Sequence, residues 1–311
     1  MQRLKFLQMI EVTLESYSKP FKDYLPPEVL SHPNFASAAH QLLRSLDELA
    51  SLDVAKKRAE RFAPQIEAKK FCERLVWEQG EHQAIAGIRF KKLNPDFPFI
   101  FATLNFVPTA KDFASIKAAI QTDFSDFRLQ GIAIRQAPGL LSDVPHETWS
   151  HTVWGRTAQD EEASLAGPVQ AQFEAEFPYY DVYRREYQAL LESDPKKNAY
   201  LRFEDQEDLE AAAKRGLLIN VYDKQGWGGT IAAREQDLYG LPCLYVFELF
   251  LCARLRGKGL AVPLERSFLN SLSKRYPFVF GHIDHTNLPS LKTALAVGRR
   301  VIETEHFFPL P

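Results

Sequence analysis

Apolar residues change their spacing along this chain, and the change divides it into three stretches. In "MQRLKFLQMIEVTLESY" the residues Leu7, Ile10, Leu14 and Tyr17 fall on one helical face. Phe35, Leu42, Leu46 and Leu49 repeat that period, and "VAKKRAERFAPQIEAKKFCERLVWEQG" carries it on past an interruption at Pro64. Between these helices "PFKDYLPPEVLSHPNF", with its four prolines, reads as a loop. Residues 1–80 are therefore expected to form a helical N-terminal arm, packed on its own chain or on a partner.

From about residue 84 the period shortens. "AIAGIRFKKL" and "FPFIFATLNFV" predict two strands with "NPD" as the turn between them, "AKDFASIKAAIQTDF" a helix, and "LQGIAIRQA" a third strand. This is a small α/β unit over 84–155. "GLLSDVPHETWSHTVWGRTAQDEEASLAGP" reads as a connection with modest structure. The third stretch, 170–311, is the most regular. "YYDVYRREYQALL" and "DQEDLEAAAKR" predict helices, "LLINVYDKQGWGGTIAARE" a hairpin turning near Asp223 to Gly226, and "LPCLYVFELFLC" a buried strand. "PLERSFLNSLSKRY" places Leu264, Phe268 and Leu272 on one helical face. "FVFGHID", "PSLKTALAVG" and "RVIETEHFFPL" follow as strand, helix and strand. That order indicates an α/β or α+β fold, a mixed sheet flanked by helices, rather than a doubly wound one.

Composition narrows the function classes. The chain has 311 residues, 45% hydrophobic and 25% charged, which suits two domains or one large one. A formal net charge of −2 provides no global basic field for nucleic acid, so any anion site has to be local. Three cysteines, Cys72, Cys243 and Cys252, form no CxxC pair, which points to a reducing cytoplasm. Lys5, Gln8 and Glu11 interrupt any secretion-signal core, and no stretch approaches the roughly 20 apolar residues of a membrane span. A cytoplasmic protein with no membrane and no nucleic-acid partner is expected.

The chemistry concentrates at "LFLCARLRGKGLA", where the buried strand gives way to a helix. A helix N-terminus carries about four unpaired N–H groups and a partial positive charge, so it attracts phosphate oxygens. Gly257 and Gly259 let backbone come close to a ligand, Arg254, Arg256 and Lys258 add positive charge, and Pro263 lies in the first turn. The inference is an anion site for a phosphorylated cofactor. It is not a Walker A loop, and it lacks the three-glycine dinucleotide fingerprint.

Residues 198–311 resemble the GNAT superfamily of acyl-CoA-dependent N-acyltransferases. The signature [Q/R]-x-x-G-x-[G/A] appears as Arg256-Gly257-Lys258-Gly259-Leu260-Ala261, five residues beyond Leu251. The family's Asn at the end of the fifth strand, before a helix ending in Gly, appears in "DHTNLPSLKTALAVG", and the hairpin before the fourth strand is in place. The resemblance implies acetyl-CoA as co-substrate and a small-molecule or peptide amine as acceptor. It implies that the amides of Gly257, Lys258, Gly259, Leu260, Ala261 and Val262, following Arg256, bind the coenzyme A pyrophosphate. Leu249, Phe250 and Leu251 would pair with the pantetheine arm, strands four and five would splay to make a slot, and Asn287 would contact the coenzyme's arm. Lys274, Arg275, Arg299 and Arg300 are candidates for the 3′-phosphate, or else solvated surface charge.

Direct acyl transfer needs a base, an oxyanion donor and a tolerable leaving group. Glu248 is the lone charge in an apolar strand. It is either the base, facing a solvated slot, or a carboxylate paired to a basic neighbour. His282, five residues before Asn287, is the second candidate base, with Asp284 on the same strand face to orient it; the other reading is a buried, satisfied histidine. "HIDH" does not make a metal site, because no distant third ligand accompanies it, and no metal is expected. By resemblance the Leu251 amide is the oxyanion donor. Ala294 stands where many members carry a tyrosine acid, so a thiol of pKa about 8.5 has to leave unaided. That departure admits a non-catalytic acyl-CoA-binding module as the alternative. Cys252 reads as an inert thiol. Residues 84–155 resemble a degenerate GNAT-like half without a glycine turn, one that would shape the acceptor pocket.

Overall fold

Near-continuous apolar runs in "AIAGIRF" and "PFIFATL" form paired strands buried on both faces, and the architecture of the first part of the molecule grows from them. The computed structural model describes residues 48–104, 106, 108–136, 144–157, 169–238 and 241–310. The helix expected over residues 1–17 and the proline-rich loop lie outside them. The described residues fall into two compact units, one within 48–150 with 241 and 302–310, the other within 151–238 and 242–301.

In the first unit, helix α1 (Leu52–Phe62) precedes strands β1 (Arg74–Gln79), β2 (His82–Phe90) and β3 (Pro98–Leu104), helix α2 (Ala110–Asp123) and strand β4 (Gly131–Gln136). The strand order is β1-β2-β3-β4, followed by the C-terminal strand β11 (Arg300–Pro309), which begins in the second unit. β1–β2, β2–β3 and β4–β11 are antiparallel and β3–β4 is parallel, with α2 as the crossover. Thr109 starts α2 with a reciprocal cap: its hydroxyl accepts from the Asp112 amide at 3.2 Å, and Asp112 accepts from the Thr109 amide at 3.0 Å. Ile88, Ile100 and Ile132 meet Phe113, Ile116 and Ile120 of α2 and Ala55 and Ala59 of α1 in one core. Each fully buried isoleucine contributes about 2 kcal/mol.

Two expectations are corrected here. Residues 74–79 form a strand, not the end of a helix, because Leu75 and Trp77 pair with β2 in the register Leu75↔Ile85 and Trp77↔Ala84, with the register shifting between them. Residues 147–156, read as a connection, form strand β5 (Glu147–Arg156), with Thr152, Val153 and Trp154 buried.

The second unit orders the rest of β5, then β10 (Phe278–Asp284), β9 (Leu241–Leu251), β8 (Gly226–Leu238), β7 (Leu218–Asp223) and β6 (Gln170–Phe173). Helices α3 (Tyr180–Ser193), α4 (Gln206–Lys214), α5 (Ala261–Leu272) and α6 (Leu288–Ala296) complete it. The β7–β8 hairpin closes at Asp223↔Gly226, with Gly226 at φ 97°, where the left-handed backbone favours glycine. α5 connects β9 to its parallel neighbour β10 and buries Leu264, Phe268 and Leu272 against the sheet.

The pairing of β9 with β10 positions the candidate site. It runs through Val279↔Leu244 and Phe280↔Tyr245, while β9 continues to Leu251 and β10 to Asp284 beyond the last pair. The strands thus part toward their C-terminal ends, as the resemblance implied.

Candidate functional site

β9 delivers the chain to the glycine turn under tight local control. The Cys252 amide donates to the Gly228 carbonyl of β8 at 2.8 Å, and the Cys252 carbonyl accepts from the amides of Leu255 and Arg256 at 2.9 and 3.2 Å. Beyond that turn, among the described residues, the amides of Gly257, Lys258, Gly259 and Leu260 donate to no backbone carbonyl. Gly257 and Gly259 sit at φ 70° and 72°, and a Cβ added to either would meet nothing within 4 Å. Two left-handed glycines alternating with ordinary residues turn successive N–H groups toward open space, the arrangement that holds anions. Leu260 precedes α5 with no capping side chain, and Ala261 and Val262 lie in the first turn, where helix N–H groups have no intrahelical partner. The residues whose backbone could hold a diphosphate here are Gly257, Lys258, Gly259, Leu260, Ala261 and Val262.

The cations behave differently from the sequence expectation. Arg254 is turned back onto the hairpin: its guanidinium donates to both oxygens of Asp223 at 2.8 and 3.2 Å and to the Trp227 carbonyl at 2.6 Å. That bond is the main cause holding the Asp223 carboxyl below its usual range. Arg256 folds inward, with Nε on the Leu251 carbonyl at 2.5 Å and the guanidinium 5.0 Å from the centre of the Phe250 ring. Of the three, Lys258 is the exposed cation. Arg299 is likewise unavailable for a 3′-phosphate, because it is buried in an ion pair with Glu265. Arg275 engages Glu235 at 2.9 Å, Arg300 lies over the Trp154 ring, and Lys274 is exposed.

Glu248 is 8% exposed, and its partner is a tyrosine rather than a cation. The Tyr183 hydroxyl, from α3, donates to Glu248 Oε2 at 2.5 Å and accepts from the Glu204 amide at 2.8 Å. Burial pushes the Glu248 carboxyl up to about 8, with the Glu204 charge adding to the rise and the Tyr183 bond and Leu249 amide opposing it. Burial and the Glu248 charge in turn raise the Tyr183 hydroxyl well above the usual phenol range. Phe250, two residues along, is enclosed by Tyr183, Tyr187 and Trp227, so it offers a ligand only its backbone edge. Leu249 is half-buried and Leu251 buried beside it.

His282 is exposed, not the buried histidine considered above. Its Nδ1 lies 3.1 Å from the Thr152 hydroxyl of β5, and its ring stands 5.7 Å from those of Tyr245 and Phe280. Asp284 Oδ1 accepts from the Thr286 amide and hydroxyl at 2.9 and 2.6 Å. Glu248 and His282 thus have separate sets of partners. Asn287 caps α6, its side-chain oxygen accepting from the Ser290 amide at 3.4 Å. Ala294 is fully buried with Val153 and Ile283. The Cys252 thiol is buried and pushed up to about 11, chiefly by that burial, which makes it a poor nucleophile.

Tyr183 is the site residue that sequence reasoning missed. Tyr179, Tyr183 and Tyr187 recur every fourth residue in "YYDVYRREY", a signal that announced a helix face but not the carboxylate it meets.

No protein-family model and no curated protein matches this chain. Among solved structures it is similar to the GCN5-related N-acetyltransferase from Sphaerobacter thermophilus, at 13% identity and a TM-score of 0.52, with 85% of this chain and 93% of that one covered. An acetyltransferase of the GNAT family from Colwellia psychrerythraea is 10% identical, covering 88% and 97% at a TM-score of 0.49. A tandem GNAT protein from the clavulanic acid biosynthesis pathway is 11% identical, covering 84% and 92% at 0.45. At such identities a likeness speaks for shape alone, and the Sphaerobacter structure supplies the firm comparison. On that likeness, this chain has the fold of the GNAT acetyltransferases.

Proposed function

We propose that the chain is an acyl-CoA-dependent N-acyltransferase that moves acetyl from acetyl-CoA to an amine by direct attack. One observation carries the reading: among the described residues the amides of Gly257 to Leu260 donate to no backbone carbonyl, at the start of a helix whose N-cap side chain makes no capping bond. A run of unpaired donors there fits the pyrophosphate of coenzyme A. The residues 170–311 form the acyltransferase domain in this proposal, and 84–155 the smaller unit. The absence of any described helix long and apolar enough to cross a membrane is compatible with the cytoplasmic setting proposed for it.

Glu248 takes the proton from the incoming ammonium. With its carboxyl at about 8, roughly a tenth is ionised at pH 7, and it is matched to a base working just above neutrality. Tyr183 holds that carboxylate in place. The Leu251 amide stabilises the oxyanion formed when the amine nitrogen bonds to the thioester carbonyl carbon. The carbon–sulfur bond then breaks and the sulfur departs as thiolate, which takes its proton from solvent, since Ala294 supplies none. His282, exposed and held to Thr152, is the second candidate base.

The alternative, a non-catalytic acyl-CoA-binding regulatory module, draws on one observation, the buried Ala294 at the usual tyrosine position. Calorimetry with acetyl-CoA, followed by thiol release across a panel of amines, tests both. Binding with amine-dependent thiol release that falls in Glu248→Gln supports the enzyme. Binding without release, unaltered in Glu248→Gln and His282→Ala, supports the module. No heat with coenzyme A overturns both.

A further inference from the structure

A third group decides which way the hydrogen points between Tyr183 and Glu248. All the partners lie in the second unit: Tyr183 on α3, Glu248 on β9, and the Glu204 backbone just ahead of α4. Tyr183 is fully buried, and its hydroxyl oxygen lies 2.5 Å from Glu248 Oε2 and 2.8 Å from the Glu204 amide nitrogen. A backbone amide can only donate, so the hydroxyl oxygen must be its acceptor. The single hydroxyl hydrogen is then left with one bonded acceptor among the described residues, Glu248 Oε2.

The same constraint governs the carboxyl in its protonated form. A proton on Oε2 would have to point at the Tyr183 oxygen, and the hydroxyl hydrogen would turn into the core with no acceptor, which costs free energy. A proton on Oε1 leaves both bonds intact. The Leu249 amide, the carboxyl's other partner, also only donates, so it takes no proton either. By donating to the hydroxyl, the Glu204 amide polarises it and strengthens its bond to the carboxylate. Tyr187 of α3 and the Glu204 carboxyl face Glu248 as well, and Arg256 reaches this set through Tyr187. The Glu204 carboxyl is pushed up chiefly by burial, with Asp208, Arg234, Asp205 and Arg202 around it.

We propose that Tyr183 is a positioning residue which, locked by the Glu204 amide, reserves Glu248 Oε1 for proton transfer. The inference rests on Glu248 being the base of the proposed acyl transfer. The ammonium proton bonds to Oε1, and the nitrogen keeps the electron pair that attacks the thioester carbon. Tyr183 keeps its own hydrogen throughout, so it is not an acid for the departing thiolate. Infrared difference titration of the full chain tests the lock, the Glu248 band being the one absent from Glu248→Gln. With Oε2 as the carbonyl oxygen accepting from Tyr183, that carbonyl stretch should rise in frequency in Tyr183→Phe. The titration midpoint should rise with it by about one pH unit, because the lost bond favoured the charged form. Fluorotyrosine incorporated at position 183 keeps the fold's contacts but donates more strongly, so both quantities should fall. The pH limb of thiol release should follow the infrared midpoint in each variant, with the KM for acetyl-CoA as in the wild type. Band and midpoint unmoved in both variants, or moved the same way in both, overturn the proposal, for a merely structural tyrosine gives that result. Absence of thiol release from the wild type with every amine overturns the acyl-transfer reading instead. The infrared shifts then still decide the lock, since they need no substrate.

Discussion

Replacing Glu248 with glutamine tests the energetics of the candidate site most directly. Glutamine keeps the shape and a hydrogen-bonding oxygen for Tyr183 but does not titrate. In the folded protein the Glu248 carboxyl stands at about 8, against an ordinary value of 4.5. The folded state therefore holds a proton that the unfolded chain releases between those limits. The stability this confers is fully present below about 4.5 and is lost as pH rises through about 8. The whole span corresponds to roughly 5 kcal/mol, about half of which is lost between pH 6 and 9. Titratable groups facing the carboxyl are Tyr183 and Tyr187 from α3 and Glu204 ahead of α4, and all three remain in the variant.

Urea unfolding at pH 6 and pH 9 reads the effect. At an m-value of about 2 kcal/mol/M, the wild-type midpoint is expected to fall by about 1 M more than that of Glu248→Gln between the two pH values. Thiol release with an amine acceptor gives the kinetic counterpart: a rate that rises with pH toward a plateau above about 8, a limb absent from the variant. Parallel midpoint shifts in the two proteins would refute the raised carboxyl, and with it the match between Glu248 and amine deprotonation.

Four further outcomes are expected. Gly257→Val or Gly259→Val forces a branched residue into left-handed backbone but meets no neighbouring atom, so a thermal melt should show a loss of about 1–2 kcal/mol while coenzyme A affinity, by calorimetry, drops at least about tenfold. Arg299→Leu leaves Glu265 buried without its partner, costing about 3–5 kcal/mol in urea unfolding, and Arg299→Leu/Glu265→Leu should recover most of it. Cys252→Ser should retain thiol-release activity, and the wild-type Cys252 thiol should alkylate slowly at pH 8, as mass spectrometry of iodoacetamide-treated protein would show. Lys258→Gln should reduce the salt dependence of coenzyme A binding, whereas Arg254→Gln should weaken binding with that dependence unchanged, because Arg254 faces Asp223.

Apolar periodicity made most of the second unit legible, and the strands it hid share a physical cause. β5 reads "ETWSHTVWGR", with Ser150, His151 and Thr152 in place of an apolar run. Its buried polar group finds a cross-strand partner in the fold, Thr152 on His282, which no local pattern announces. β1 escaped because Leu75, Val76 and Trp77 followed a helical stretch, and its assignment depends on pairing with β2. Tyr183 is the same case in the site. Its helical spacing was visible, but the bond to Glu248 joins residues 65 apart and exists only once α3 lies on the sheet.

The glycine turn shows a sharper division between what residue types reveal and what backbone geometry decides. Three cations and two glycines looked like a site in which side chains neutralise a phosphate. Arg254 and Arg256 instead spend their donors on Asp223, the Trp227 carbonyl and the Leu251 carbonyl, fixing the end of β9 and the β7–β8 hairpin. What faces outward is the amide run of residues 257–260 with Lys258 beside it. Recognition by amides depends on φ at two glycines and hardly on net charge, so the proposed diphosphate site needs no broad basic surface in a chain of net charge −2. The arginines serve that geometry from behind.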